Sequence, residues 1–250
     1  MKTTKFNLLF IAIAIFMTCN IVISCGDDEE DDSIQITSSK NLSMNSGETS
    51  QIQCTQKSVT YESEDDFVAT VSASGEIKAS HVGSTDIKVN GSKMIKVAVV
   101  PKYKNFDEPI LDFGISMSKL KSLEKNKPIK ENDEGLSYDG TGDETGRIYL
   151  FKNGKLSTSA MVVRPIYSSI LADFLLERYL VIDVDKSKQT STFVNGLTTE
   201  TITMGINVST ENYQFLVVYF PTADNATRSI SQRDKEEAIA RIKKILEEKE

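Results

Sequence analysis

The chain has 250 residues, with 29 Lys and Arg against 36 Asp and Glu for a formal net charge of −7. A single histidine excludes a multi-histidine metal site and leaves little for a Ser-His or Cys-His nucleophile pair. The absence of a strongly basic balance argues against nucleic acid as a partner.

The opening "MKTTKFNLLFIAIAIFMTCNIVISC" places Lys2 and Lys5 before an apolar run from Phe6 to Met17, the order of an export signal. Asn7, Thr18, Cys19, Asn20 and Ser24 interrupt the run, and no basic stop follows, so it reads poorly as a membrane span, which needs about 20 apolar residues. Val22-Ile23-Ser24-Cys25 resembles the lipobox of bacterial lipoproteins. That resemblance implies cleavage of residues 1–24 and acylation of Cys25 with palmitate-type chains, the covalent lipid being the only attached group and no cofactor being expected. Two or three such chains would anchor the protein, since each buried CH2 contributes about 0.8 kcal/mol.

Residues 25–32 form an acidic tether. Asp27, Asp28, Glu29, Glu30, Asp31 and Asp32 repel one another and cannot pack. They read as a solvated spacer. They also resemble the sorting signal that sends lipoproteins of some Gram-negative bacteria to the outer face of the outer membrane. Loss of the signal removes Lys2 and Lys5 and no acid, taking the charge from −7 to −9. Six of those charges sit in the tether, which leaves the body near neutrality. Cys19 leaves with the signal, so Cys54 is the remaining free thiol and no intrachain disulfide is expected.

From Ser33 to Pro101 short alternating runs recur: "SIQIT", "SQIQCT", "FVATVSA", "GEIKA", "TDIKV" and "KMIKVAVV". Turn residues separate them, with Asn90-Gly91 as a hairpin signal, and the spacing predicts an all-β sandwich. "YESEDDFVATVSASGEIKASHVGSTDIKV" resembles the group 2 bacterial immunoglobulin-like domain of intimin-type adhesins and surface lipoproteins. Phe67 to Ser72, Gly75, Ile77, Gly83, Ile87 and Val89 fill the family pattern, while Tyr61 stands where tryptophan is usual. The resemblance covers residues 33–101 and implies a spacer or presenter. His81 reads as a loop residue and Cys54 as a small core hydrophobe.

Residues 105–227 change in texture after "PKYKNFDEP". "ISMSKLKSLEK" predicts a helix with Ser116 as N-cap, and "YSSILADFLLERY" predicts a second one reaching Tyr179. Strands are expected at "GLSYDG", "GRIYLFKNGKLSTSAMVV" with an Asn153-Gly154 turn, "STFVNGL", "TETITMGINVS" and "YQFLVVYF". Helix then three strands, twice, predicts an α+β domain with a possible tandem repeat. Its element order weakly resembles the small lipoprotein of the outer-membrane barrel-assembly machine and, doubled, the β-lactamase inhibitor protein fold. "YDGTGDETGR" sets Asp139, Asp143 and Glu144 among glycines, where a hard cation would find carboxylates. The spacing is not that of an EF-hand, and a mobile hairpin end is the simpler reading. "LLERYLVIDVDKSK" reads as a helix end and a turn.

Residues 228–250 predict an amphipathic helix, with Ser231 and Asp234 as a capping box and Ala238, Ile239, Ile242, Ile245 and Leu246 as an apolar stripe. The stripe docks on its own domain or on a partner chain. The whole predicts a non-enzymatic, lipid-anchored protein of the outer membrane, facing the cell surface or the periplasm. In this reading the Ig-like domain presents a C-terminal domain to a protein or glycan ligand. The alternative is a periplasmic assembly or inhibitor factor that binds another protein through its C-terminal sheet.

Overall fold

A computed structural model describes residues 34–211, 213–222 and 232–247. Cys25 and the acids Asp27 to Asp32 lie outside these residues, as do Ser231 and the Asp234 side chain.

Seven short strands build the first part: β1 (Asn41–Asn45), β2 (Thr49–Gln51), β3 (Tyr61–Ser63), β4 (Ala69–Val71), β5 (Glu76–Ala79), β6 (Gly83–Val89) and β7 (Lys93–Val100). They form two sheets, β1-β7-β6-β3 and β2-β5-β4. Period-2 alternation sends Thr85, Ile87 and Val89 of β6 and Ile95, Val97 and Val99 of β7 inward. There they meet Met44, Ile52, Val68, Ala69 and Ile77 in one core. The β6–β7 turn uses Asn90 and Gly91, both at positive φ, as its tight geometry requires. β1 runs parallel to β7, with Asn41 opposite Lys96 and Asn45 opposite Val100. The chain therefore enters this part at the Lys96 end of the sheet and leaves it at the Val100 end.

The second part is a single antiparallel sheet of eight strands. Helix α1 (Met117–Leu123) precedes β8 (Lys130–Asn132), β9 (Gly135–Asp139), β10 (Glu144–Lys152) and β11 (Lys155–Val163). A 3-10 turn at Pro165–Tyr167 leads into α2 (Ser168–Leu176). Strands β12 (Leu180–Asp185), β13 (Thr190–Val194), β14 (Met204–Glu211) and β15 (Gln214–Pro221) follow, then α3 (Gln232–Glu247). The strand order β12-β13-β14-β15-β11-β10-β9-β8 joins two meanders through β15 and β11. The described residues are thus mostly β, with an Ig-like part, one large sheet, few helices and a C-terminal helix. Three sequence expectations change. Each helix is followed by four strands where three were expected, because Lys130–Asn132 and Leu180–Asp185 are additional strands. Leu180 to Asp185 is a strand, not a helix end and turn, and α2 stops at Leu176, before Tyr179.

Helix α1 starts as its sequence dictates, with Ser116 Oγ accepting from the Lys119 amide at 3.2 Å. Its Leu120 packs with Leu136, Tyr138, Tyr149, Phe151 and Leu156 on one face of the sheet. On the same face α2 brings Leu171, Phe174 and Leu175 onto Met161, Phe193, Ile206, Val217 and Tyr219. The opposite face is apolar only along its centre, at Ile148, Leu150, Ala160, Val162, Leu216, Val218 and Phe220. Helix α3 lies there through Ala238 and Ile242, with Ile239, Ile245 and Leu246 beside them. The stripe thus docks on its own sheet, and Ile242 is fully buried. Toward the sheet edges that face turns polar, at Thr192 and Asn207 on one side and Ser137 and Lys130 on the other.

Candidate functional site

The glycine-rich loop between β9 and β10 was the one place where sequence suggested a cation. Its three acids do not converge. Glu144 turns inward, with a fully buried side chain. Its Oε1 accepts from the Thr141 amide at 3.1 Å, from Thr141 Oγ1 at 2.9 Å and from Arg147 Nε at 2.7 Å. Gly140 makes this tight fold possible, because a Cβ there would meet the Glu144 carbonyl oxygen at 2.3 Å. Asp143 instead accepts from Asn105 Nδ2 at 3.2 Å, and Asp139 ends β9 exposed. Among the described residues no group of three His, Cys, Asp or Glu is disposed to hold a metal ion.

Arg147 continues the cluster toward Glu124, 3.8 Å away, whose carboxylate in turn accepts from the Tyr149 hydroxyl. Burial and that carboxylate push the Tyr149 hydroxyl pKa far up, and burial beside Glu124 and Glu131 pushes Tyr138 up to about 12. Both phenols stay protonated at any physiological pH, and that of Tyr149 donates to Glu124. The cluster ties α1 and the segment before it to the sheet, with the Ile110 amide donating to Tyr149 at 3.2 Å and Ser159 donating to the Ile110 carbonyl at 2.6 Å. Its chemistry is structural, because every charge is spent on a neighbour.

A second charged group joins the two parts of the chain. The Glu177 carboxylate accepts from the amides of Lys102 at 3.0 Å and Tyr103 at 3.1 Å. The Glu177 carbonyl accepts from the Val82 amide at 2.8 Å. Arg178 pairs with Glu177, lies over the Phe174 ring at 3.8 Å and donates to the Tyr103 carbonyl. Next to it the Glu108 carboxyl accepts from the Tyr179 hydroxyl. Burial raises its pKa above the usual carboxylate value, partly offset by that hydrogen bond and by Arg178. Phe106 sinks into the α2 core, edge-on to Phe174. His81 is stacked on Phe67 at 4.1 Å with Nδ1 2.7 Å from the Phe67 carbonyl, so it is a packed residue of the Ig-like part. Cys54 sits at the edge of that core beside the Tyr61 hydroxyl.

Large exposed apolar side chains lie elsewhere on the sheet. By register, the β9–β10 loop, the β11–α2 turn, the β12–β13 hairpin and the β14–β15 hairpin all fall at one end. The Glu177 junction falls at the other, where α2 hands over to the start of β12. The loop end displays Ile166 at 80% exposure and Tyr213 at 91%. Tyr213 lies in the β14–β15 turn, just before Gln214, with φ +58°. The equivalent positions after Asn90 and Asn153 are glycines. A side chain held there costs backbone strain, and it is presented to solvent. Sequence reading missed it because Asn212-Tyr213 lacks the glycine that marks its two sister turns.

Strand β12 is the other exposed element. It forms an edge of the sheet, and Ile182 and Val184 are each 57% exposed, with Val181 at 38%. Val181 and Val184 stand opposite Phe193 and Ser191, on the α2 side, while Asp183 and Asp185 stand opposite Thr192 and Thr190 on the α3 side. A register shift between Val181 and Asp183 makes Ile182 the extra residue of a bulge.

Residues 32–97 match the family of the bacterial Ig-like domain (group 2), about a quarter of the chain. A search of curated proteins finds no match. Among the described residues no helix is long and apolar enough to cross a membrane.

Proposed function

We propose that this is a non-enzymatic, lipid-anchored protein of the bacterial surface, in which the Ig-like part carries and orients the eight-stranded sheet as the ligand-binding part. The ligand is a protein or a glycan, and the anchor is acyl lipid on Cys25. The observation that carries this reading is the serial placement of four ends. The chain enters the Ig-like sheet at one end and leaves it at the other. The Glu177 junction then takes up one end of the large sheet, and Ile166 and Tyr213 stand at the far one. A presenter needs this order: tether, rigid spacer, stiff joint, exposed tips. The Ig-like match supports it, since that module is found in bacterial surface proteins.

The two meanders, each preceded by a helix, read as a duplicated helix-and-strands unit whose halves share one sheet. A periplasmic assembly or inhibitor factor acting through the sheet face is the second reading. Helix α3 already covers the apolar centre of one face, and α1 and α2 cover the other, so that reading requires a helix to move. Protease added to whole cells distinguishes the two. Surface display predicts digestion of the chain in intact cells. Protection until the outer membrane is opened would place it in the periplasm.

A further inference from the structure

We propose that β12 is an acceptor edge, at which an extended segment of a partner polypeptide adds a ninth strand to the sheet through main-chain hydrogen bonds, its side chains alternating apolar and basic. The inference deepens the binding role proposed above by naming the element and the chemistry it takes.

An unpaired strand edge exposes a row of N–H and C=O groups, and soluble proteins blunt such edges with short strands, charges, bulges or a covering element. The two edges of this sheet are treated differently. The β8 edge is three residues long, carries Lys130, Glu131 and Asn132, and lies beside Ile245 of α3. The β12 edge is six residues long and shows Val181, Ile182 and Val184 to solvent. Its defences are the bulge at Ile182 and two acids. An apolar edge of this length is the substrate for strand addition, in which the backbone gives affinity and alternate side chains give specificity.

The side chains define the partner. Val181 and Val184 share the α2-side face, so the incoming strand brings apolar residues there. The only charged residues within the strand are Asp183 and Asp185, both on the α3 side. Asp185 is already engaged by Ser187 and Lys188 of its own turn, which leaves Asp183 as the acid the segment meets. A Lys or Arg opposite it is favoured, and a Glu opposed.

The same acids select against a second copy of this chain. Antiparallel registers centred on Asp183 or Val184 set acid against acid, and parallel in-register pairing does so twice. Registers that escape are poor in other ways: Val181 opposite Val184 forces the two bulges into one place and sets Asp185 against Leu180, and Val181 opposite Val181 carries Asp183 past the start of the partner's β12.

The full chain, in mild detergent, is titrated with three short fluorescent peptides: alternating Lys and Val, alternating Glu and Val, and the Lys-Val peptide N-methylated at alternate amides. The Lys-Val peptide should bind about tenfold more tightly than the Glu-Val peptide, the difference between favourable and like-charge cross-strand pairs. The N-methylated peptide should not bind, and amides of 181–185 should gain hydrogen-exchange protection. Asp183→Lys should reverse the peptide preference, and Asp183→Asn should abolish it. Equal binding of both peptides, binding of the N-methylated form, protection elsewhere on this acidic chain, or a peptide-free dimer with protected β12 amides overturns the proposal. None of these outcomes touches surface exposure on cells, so the broader reading stands or falls separately.

Discussion

Glu177 and Tyr103 are 74 positions apart in the chain, and the carboxylate of one holds the backbone amide of the other at 3.1 Å. The Lys102 amide shares that carboxylate, and Arg178 clamps the far side by pairing with Glu177 and donating to the Tyr103 carbonyl. A joint between two β parts is thereby fixed by a side chain at the end of a helix.

Replacing Glu177 with Ala leaves two part-buried amides without their acceptor and the Arg178 guanidinium without its ion-pair partner, though still bonded to the Tyr103 and Phe174 carbonyls. Such losses cost about 1–3 kcal/mol each when the group stays buried. The melting temperature should fall, and the Tyr103 amide should exchange faster with solvent. Glu177→Gln, which keeps an acceptor oxygen, should recover part of the loss. An unchanged exchange rate in Glu177→Ala would show that the joint is held elsewhere.

A fragment of residues 105–250 retains Phe106 and Pro109 in the sheet core but lacks the two amides that Glu177 holds. It should melt cooperatively, at a lower temperature than a fragment of residues 101–250. Failure of the longer fragment to fold would mean that the large sheet depends on the Ig-like part.

Glu108 sets a pH dependence. Its carboxyl has a folded pKa above the unfolded value of about 4.5, chiefly because burial disfavours the charge. Between the two values the folded state binds the extra proton, so stability falls as pH rises through this window and is greatest below it. Glu108→Gln should flatten that slope while keeping the acceptor for Tyr179. A slope unchanged in the variant would assign the dependence to another group.

The positive-φ turn positions Gly91, Gly154 and Tyr213 form an internal control. Tyr213→Gly removes the left-handed strain of a side chain and restores chain freedom in the unfolded state, for a net gain of about 1 kcal/mol. Gly154→Ala should cost a similar amount, since a Cβ there meets nothing within 4 Å and only the backbone is strained. If Tyr213→Gly stabilises the protein yet weakens ligand capture, the tyrosine is retained for recognition.

Deleting residues 231–250 uncovers the apolar centre of the sheet, including Ile148, Val162 and Val218. Ile242→Ala alone should cost about 2–5 kcal/mol, the range for emptying a fully buried aliphatic site. Thermal denaturation and binding of an apolar dye would both report it.

Much of this was readable from residues. The alternation in β6 and β7, the Asn90-Gly91 and Asn153-Gly154 turns, the Ser116 cap and the stripe on α3 are local signals, and the structure carries them where the sequence put them. Strand β12 was hidden because the bulge at Ile182 breaks its period of two, leaving an apolar run that resembles a helix end. Strand β8 was hidden by its length of three residues. The inward turn of Glu144 beside an outward Asp143 depends on Arg147 and Asn105, and the role of Glu177 on residues in another part of the chain. Such pairings are set by tertiary packing, which no window of sequence contains.

The central claim, that the chain is held to the membrane through lipid on Cys25, is tested most directly by metabolic labelling with palmitate. The native chain should incorporate label and run at the size of the processed form. Cys25→Ala should accumulate as the larger precursor without label. Labelled, processed protein from Cys25→Ala would contradict the account.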